Sequence, residues 1–426
     1  MPARQTADAT ASEETTPQPP LARGVLGLMA SACGLAVGAN YFNQPLLHTI
    51  GQSLHTAAAG LLVTCAQVAY GVGLLLLTPL GDMLERRTLT LALMALATLG
   101  LLLSGASPWL PGPFGWLAAG TLMTGLFSVA AQVLVAMAAG LVAPQRSGRA
   151  VGFVMSGLLI GILFGRTVAG LCSGLWGWNS VYLIAAAAMV VMTALLARKL
   201  PRSRNTGAAL SYRQTLLTMA RLLRALPRLG SRTLLGGLSF ASISVLFSTM
   251  ALMLAGPAHR LSDAVIGLIG LAGVAGALMA NAAGHLFDRG YERAVTLGTI
   301  ALLLASWLLL ALGGAAGWVG LTAFIAGMLL IDLALQGSHI TNQNLVFRLA
   351  PQARARANAV YMTGYFAGAA SGSAIGALAW ARGGWGGACI AGAALAVLAL
   401  LTALWDRRLA RSDAPKPAGA HTPARS

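Results

Sequence analysis

Hydrophobic positions along this chain come in long unbroken runs separated by short polar breaks. A helix needs roughly 20 mostly apolar residues to cross a bilayer. Twelve such runs can be marked, at 24–47, 57–80, 88–107, 115–141, 150–174, 179–198, 233–255, 264–287, 294–313, 317–345, 358–381 and 385–405. They are numbered here as segments 1 to 12. They are rich in Leu, Ala, Gly and Val and show no period-two alternation in ten-residue stretches, which argues against a β-barrel. The pattern therefore predicts an all-α membrane protein with twelve transmembrane helices. One long polar stretch, 199–232, divides them into two six-helix bundles, 23–198 and 233–405. Residues 1–22 are polar with no apolar core, so they read as a disordered tail and not a signal peptide. Residues 406–426 read as a second disordered tail. Inside the central linker, 213–229 can form a basic amphipathic helix, expected to lie on an anionic membrane leaflet.

Composition supports the same picture. Hydrophobic residues make up 57% of the chain and charged residues 9%, against about 25% charged in a soluble domain. A soluble enzyme and a disordered protein are excluded. The net charge of +17 raises the question of nucleic acid, but nucleic-acid binders carry their basic residues on a charge-rich surface, and no such partner is expected. By the segment count, 25 of the 28 basic residues fall on one side; the exceptions are Arg166, Arg260 and Arg382. The positive-inside rule then puts both termini in the cytoplasm of a multi-pass inner (plasma) membrane protein. Cys33, Cys65, Cys172 and Cys389 all lie in apolar segments, with no metal-ligand spacing, so neither a metal site nor a disulfide is expected. No phosphate-binding G-x-x-x-x-G-K-[ST] motif and no catalytic triad stands out, so the chain does not read as an enzyme.

The two halves repeat one another at an offset of 207. Pro144 and Gln145 match Pro351 and Gln352, Arg149 matches Arg356, and Gly157, Gly161 and Gly165 match Gly364, Gly368 and Gly372. Six helices per half make these parallel repeats, an architecture that places a transport site near the midplane between them. The glycine ridges of segments 5 and 11 are expected where the halves slide.

With these features the chain resembles the major facilitator superfamily. That family carries a motif G-x-L-a-D-r-x-G-R-R between helices 2 and 3; here Leu80, Asp82, Arg86 and Arg87 fit, while Thr78 and Glu85 stand in for its glycines. A second copy keeps Gly284, Leu286, Asp288, Arg289 and Arg293. ANYFNQPLL at 39–47 looks like a bacterial subgroup of solute and drug exporters. The family's helix 5 antiporter motif is met at Gly157, Gly161 and Gly165, but Ile162 replaces its Pro and Arg166 its last Gly; the helix 4 Arg would fall near Thr121 and is absent. The resemblance implies that Asp82, Arg86, Arg87, Asp288 and Arg293 form a conformational latch, made in one state and broken in the other.

Ionisable groups inside a membrane are costly and mark function. Asp332 is the one acidic residue well inside an apolar segment, and Gln336, His339 and Gln343 follow at +4, +7 and +11, on one helical face. Asp332 is read as a proton carrier with His339 as a relay; a structural carboxylate and an interhelical hydrogen bond are the plainer alternatives. Arg166 is expected to bind an anionic group, to pair with Asp332, or to snorkel. Asn40, Tyr41, Asn43 and Gln44, beside Pro45, are candidates to bind substrate, with Gln67, Tyr70 and Gln132 behind them. Interhelical packing is the alternative for each.

The expected function is secondary transport of a small organic solute by a monomer in the lipid bilayer. It would be driven by a proton gradient, use no cofactor, and run as proton-coupled export. A nutrient symporter or uniporter is the alternative, kept open by the missing Pro and Arg. A receptor or scaffold on the same fold is a third reading, which the polar stripe argues against.

Overall fold

The computed structural model describes residues 23–142, 146–203, 211–351 and 353–412. The expected N-terminal tail, residues 413–426 of the C-terminal one, and the repeat positions Pro144, Gln145 and Gln352 lie outside them. The described chain is helical: α1 (Arg23–Gly38), α2 (Asn43–Ser53), α3 (Leu61–Leu76), α4 (Leu80–Met83), α5 (Arg86–Ala106), α6 (Pro113–Phe127), α7 (Ala130–Gly140), α8 (Ser147–Trp176), α9 (Ser180–Lys199), α10 (Tyr212–Ala225), α11 (Pro227–Ala255), α12 (Asp263–Ile269), α13 (Val274–Asp288), α14 (Glu292–Leu312), α15 (Trp318–Leu349) and α16 (Arg354–Ser412). Ten spans among the described residues are long and apolar enough to cross a membrane. α16 is two helices joined by a sharp bend at Gly383 and Gly384, with Gly384 at φ +54°, a conformation that glycine adopts without a Cβ penalty.

Helix ends gather at two opposite sides. At one, the basic end, Tyr212 on α10 donates to the Leu76 carbonyl at 3.0 Å, and the Arg86 N–H donates to the Ser203 carbonyl at 2.9 Å. At the far end, Asn179 donates to the Gly105 carbonyl at 3.1 Å, and the Trp385 indole to the Leu310 carbonyl at 2.8 Å.

The glycine ridges pack inside each half and not between halves. A Cβ on Gly161 would overlap the Gly34 backbone, and one on Gly368 the Gly237 backbone. Each ridge thus fixes one helix crossing, α8 on α1 and α16 on α11, by direct backbone contact. The halves meet elsewhere. Thr64 and Ser373 hydroxyls are 2.9 Å apart, Ser173 donates to Asp263 at 2.6 Å, and Thr167 donates to the Gly267 carbonyl at 3.0 Å.

Two boundaries differ from the sequence expectation. The linker helix runs over Tyr212–Ala225, opened by a capping box in which Ser211 and Gln214 satisfy each other's backbone N–H groups. The next helix starts at Pro227, a residue suited to a first helical position, so Arg228 and Arg232 belong to the bundle. At the other end α16 continues to Ser412. No Gly or Pro interrupts residues 400–412, and Asp406 is 1% exposed, so this stretch belongs to the core and not to a tail.

Candidate transport site

Two otherwise regular helices are broken near the middle of their spans. Pro45 has no N–H, and its ring crowds the carbonyl four residues back, at Tyr41. The helix of segment 1 accordingly passes through a 3-10 turn at Ala39–Tyr41 before resuming as α2. Segment 8 was expected to be continuous. It breaks instead into α12 and α13 around a 3-10 turn at Gly270–Gly273. Gly267, Gly270, Gly273 and Gly276 recur every third residue, the period of a 3-10 helix, a signal the apolar count passed over.

Arg166, on α8, is 4% exposed. Its Nε donates to Gln44 Oε1 at 2.8 Å. Its guanidinium carbon lies 4.0 Å from the Phe247 ring centre and 5.2 Å from that of Tyr41, a cation–π arrangement. Among the described residues the guanidinium forms no ion pair. Asp332, on α15, is 8% exposed, and its Oδ2 has no hydrogen-bond partner among the described residues. The glycine turn touches both charges. A Cβ on Gly270 would stand 3.2 Å from Arg166 Cδ, and one on Gly273 3.3 Å from Asp332 Oδ2. Arg166, Tyr41 and Gln44 come from the N-terminal half, Asp332 and Phe247 from the C-terminal half. The site therefore spans the junction. Leaving opposite charges buried without a direct partner is expensive, a cost that a ligand site tolerates and a structural ion pair avoids.

The remaining candidates fall into separate groups. Gln132 donates to the Tyr70 hydroxyl at 3.3 Å, and the Tyr70 ring lies 4.6 Å from that of Phe366 across the junction. Asn40 and Asn43 each keep a buried side-chain oxygen without a partner among the described residues. Gln67 is buried and Gln336 half-buried. His339 Nδ1 is 3.0 Å from the Tyr361 hydroxyl, and Gln343 donates to Asn358 at 3.0 Å. The stripe read from segment 10 is thus not one wet face: Asp332 faces the junction, while His339 and Gln343 tie α15 to α16 within the C-terminal half.

A protein-family model for the Major Facilitator Superfamily matches residues 29–351. The chain belongs to the Major Facilitator Superfamily. The chain is 46% identical over 405 residues to an uncharacterized transporter, YgaY, of Escherichia coli O157:H7, covering 94% of this chain and 99% of that protein. It is 33% identical over 380 residues to a probable transporter, SCO4007, of Streptomyces coelicolor, covering 88% and 86%. The fold is similar to a solved bacterial homolog of the human lysosomal transporter Spinster in an inward-facing, occupied conformation, with TM-score 0.71, 14% identity, and coverage of 94% of this chain and 100% of that one.

In this superfamily member the loop-motif residues hold the basic end of their own half. Arg86 pairs with exposed Asp82 at 3.4 Å, its Nε donates to the Gly81 carbonyl at 2.9 Å, and Arg87 donates to the Ala197 carbonyl. Asp288 and Arg293 are exposed and form no ion pair among the described residues. Glu85, where the family motif has glycine, is the carboxylate that is engaged. It accepts from the Arg87, Thr88 and Ser203 N–H groups at 3.0, 2.8 and 2.9 Å, capping α5. Partial desolvation pushes its carboxyl up, but the Thr88, Ser203 and Arg87 hydrogen bonds outweigh this and hold it down at about 2.

Two groups were missed in the sequence. Phe240, Tyr361, Tyr365 and Phe366 form an aromatic cluster around His339; the i, i+4 spacing of the two tyrosines was the available signal. At the basic end, Arg232 pairs with Asp406 at 2.6 Å and Arg228 with the same carboxylate at 3.5 Å. Ser231 donates to Asp406 at 2.6 Å, and Arg232 to Thr296 and Asn342 at 3.1 Å each.

Proposed function

We propose that this protein is a secondary transporter that moves a small organic solute across the inner (plasma) membrane, with Asp332 carrying the coupling proton. The reading rests on one observation above the others: a buried carboxylate oxygen without a hydrogen-bond partner among the described residues, at the junction of two bundles. Counting α16 as two spans and α12 with α13 as one gives twelve transmembrane helices. The basic end, by its charge, is cytoplasmic and holds both termini. Contacts between the halves at Thr64–Ser373, Ser173–Asp263 and Thr167–Gly267 tie the far end together, as one of the two states of alternating access would require.

Direction follows from charge. A solute that competes with the proton for Asp332 exchanges with it and is exported. A solute that loads together with the proton travels with it, and is taken up. Cells stripped of their main efflux pumps, expressing the parent or Asp332→Asn at matched membrane levels, test the reading against a broad compound panel. The expected result is a growth phenotype with the parent, resistance for export or sensitivity for uptake, that Asp332→Asn abolishes. A phenotype that persists unchanged in Asp332→Asn removes Asp332 as the carrier.

A further inference from the structure

The surroundings of Arg166 leave one approach open. Its Nε is taken by Gln44. Two aromatic rings flank the guanidinium, Phe247 at 4.0 Å and Tyr41 at 5.2 Å from its carbon. No side chain among the described residues accepts from its two terminal nitrogens. What remains is the in-plane edge of the fork, the geometry that takes a carboxylate bidentately. The ring contacts come from opposite halves, so the guanidinium lies at the junction. Lengthening Gly270 by one carbon would press on Arg166 Cδ at 3.2 Å, and lengthening Gly273 would press on Leu163 at 2.8 Å and on Asp332 Oδ2 at 3.3 Å. The broken helix therefore sets the position of both charged side chains. Irregular backbone at membrane depth is tolerated where it lines a cavity, and broken helices are where transporters of this kind place their binding sites.

We propose that the free edge of Arg166 holds the carboxylate of a small organic acid, and that the acid loads together with a proton on Asp332. This rests on the proton-carrier reading of Asp332. The physical link is repulsion. An anion arriving at Arg166 meets the neighbouring Asp332 carboxylate, and protonating Asp332 removes that like charge. Anion and proton then favour each other's binding, which is symport and not exchange. The proposal turns the direction toward uptake and away from the export that the resemblance implied. The charged and titratable groups that face Asp332 are Arg166 from α8 and Tyr365 from α16; Tyr41, from the 3-10 turn after α1, neighbours Arg166 and Tyr365, and His339 lies seven residues along α15. Tyrosines ionise near pH 10, and His339 is engaged by Tyr361. Asp332 is thus the group whose protonation gates the anion.

The test uses purified full-length protein in nanodiscs and four probes: benzoate, hexanoate, benzamide and hexanamide. Binding is followed by thermal stabilisation between pH 5.5 and 8. At least one acid is expected to stabilise the parent while its amide does not. Affinity should fall about 10–100-fold in Arg166→Gln and in Arg166→Lys, which keeps the charge but not the fork. Gly270→Ala, which displaces Arg166 without removing it, should also weaken binding and guards against misfolding of the Arg variants. Affinity for the acid should fall roughly tenfold as pH rises across the range, and the slope should vanish in Asp332→Asn. Stabilisation by neither acid, equal stabilisation by the amides, or binding that survives Arg166→Gln overturns the carboxylate site. Acid binding through Arg166 that is flat or strengthens with rising pH overturns co-loading alone. Acid binding through Arg166 together with a cell phenotype that Asp332→Asn leaves intact identifies the coupling reading, and not the anion site, as the one that failed.

Discussion

Glu85 and Glu292 occupy equivalent places in the two halves, 207 residues apart, and each holds one end of the central linker by different physics. Glu85 caps α5 and clasps the linker's start through the Ser203 backbone. Glu292 faces the first turn of α11, just past the linker, through Arg228 at 3.9 Å and also meets Arg348 at 3.4 Å. The first contact is a set of hydrogen bonds from backbone N–H groups, the second a pair of side-chain charge contacts. The C-terminal half has an additional anchor without a counterpart. Asp406 sits buried between Arg232 and Arg228, and its equivalent in the other half is Lys199, which is exposed. One inherited position has thus been kept as a tether twice, with the deeper attachment built on the C-terminal side.

Four substitutions grade this contrast. The largest effect is expected from Asp406→Ala, which leaves Arg232 buried without its counter-charge and should lower stability by about 3–5 kcal/mol, read as a drop in the thermal unfolding midpoint of the purified protein. Lys199→Ala should stay within about 0.5 kcal/mol; a comparable loss at both sites would mean that the halves are anchored alike. Glu85→Ala comes next, at about 0.5–2 kcal/mol for a lost cap. Its pH signature has a fixed sign. The Glu85 contribution is complete above about pH 4.3, the ordinary glutamate value, and fades as pH falls through about 2, so parent and variant should converge only in strong acid. Glu292→Gln should cost less than Asp406→Ala or Glu85→Ala, about 0.2–1 kcal/mol, and the cost should shrink further in 1 M salt, where surface charges are screened within about 3 Å. A salt-sensitive Glu85 variant beside a salt-insensitive Glu292 variant would reverse the assignment.

The apolar spans, the repeat and the two buried charges were legible because each depends on local composition: long runs, an exact offset, one Asp and one Arg where hydrocarbon is expected. The rest depended on tertiary context. Arg228, Arg232 and Asp406 lie in polar stretches whose sequences read as linker and tail, and only their meeting across α11 and α16 makes them core. Glu85 read as a departure from a motif because most of the donors it accepts from are backbone N–H groups, which no motif records. The break at Gly270–Gly273 was hidden by its own hydrophobicity. The glycine ridges were visible, but their partner helix was not, so they were placed between the halves instead of within them.

Those ridges have a consequence for how such a chain can change over time. Where α8 crosses α1 and α16 crosses α11, the backbones touch at Gly161, Gly34, Gly368 and Gly237, with no space for a side chain on either partner. A lipid-facing leucine such as Leu308, 72% exposed, can drift among many apolar residues. These four positions have one choice each. They act as fixed points around which both halves of the duplicated gene could diverge, keeping two helix pairs rigid while the junction between them acquired its own chemistry.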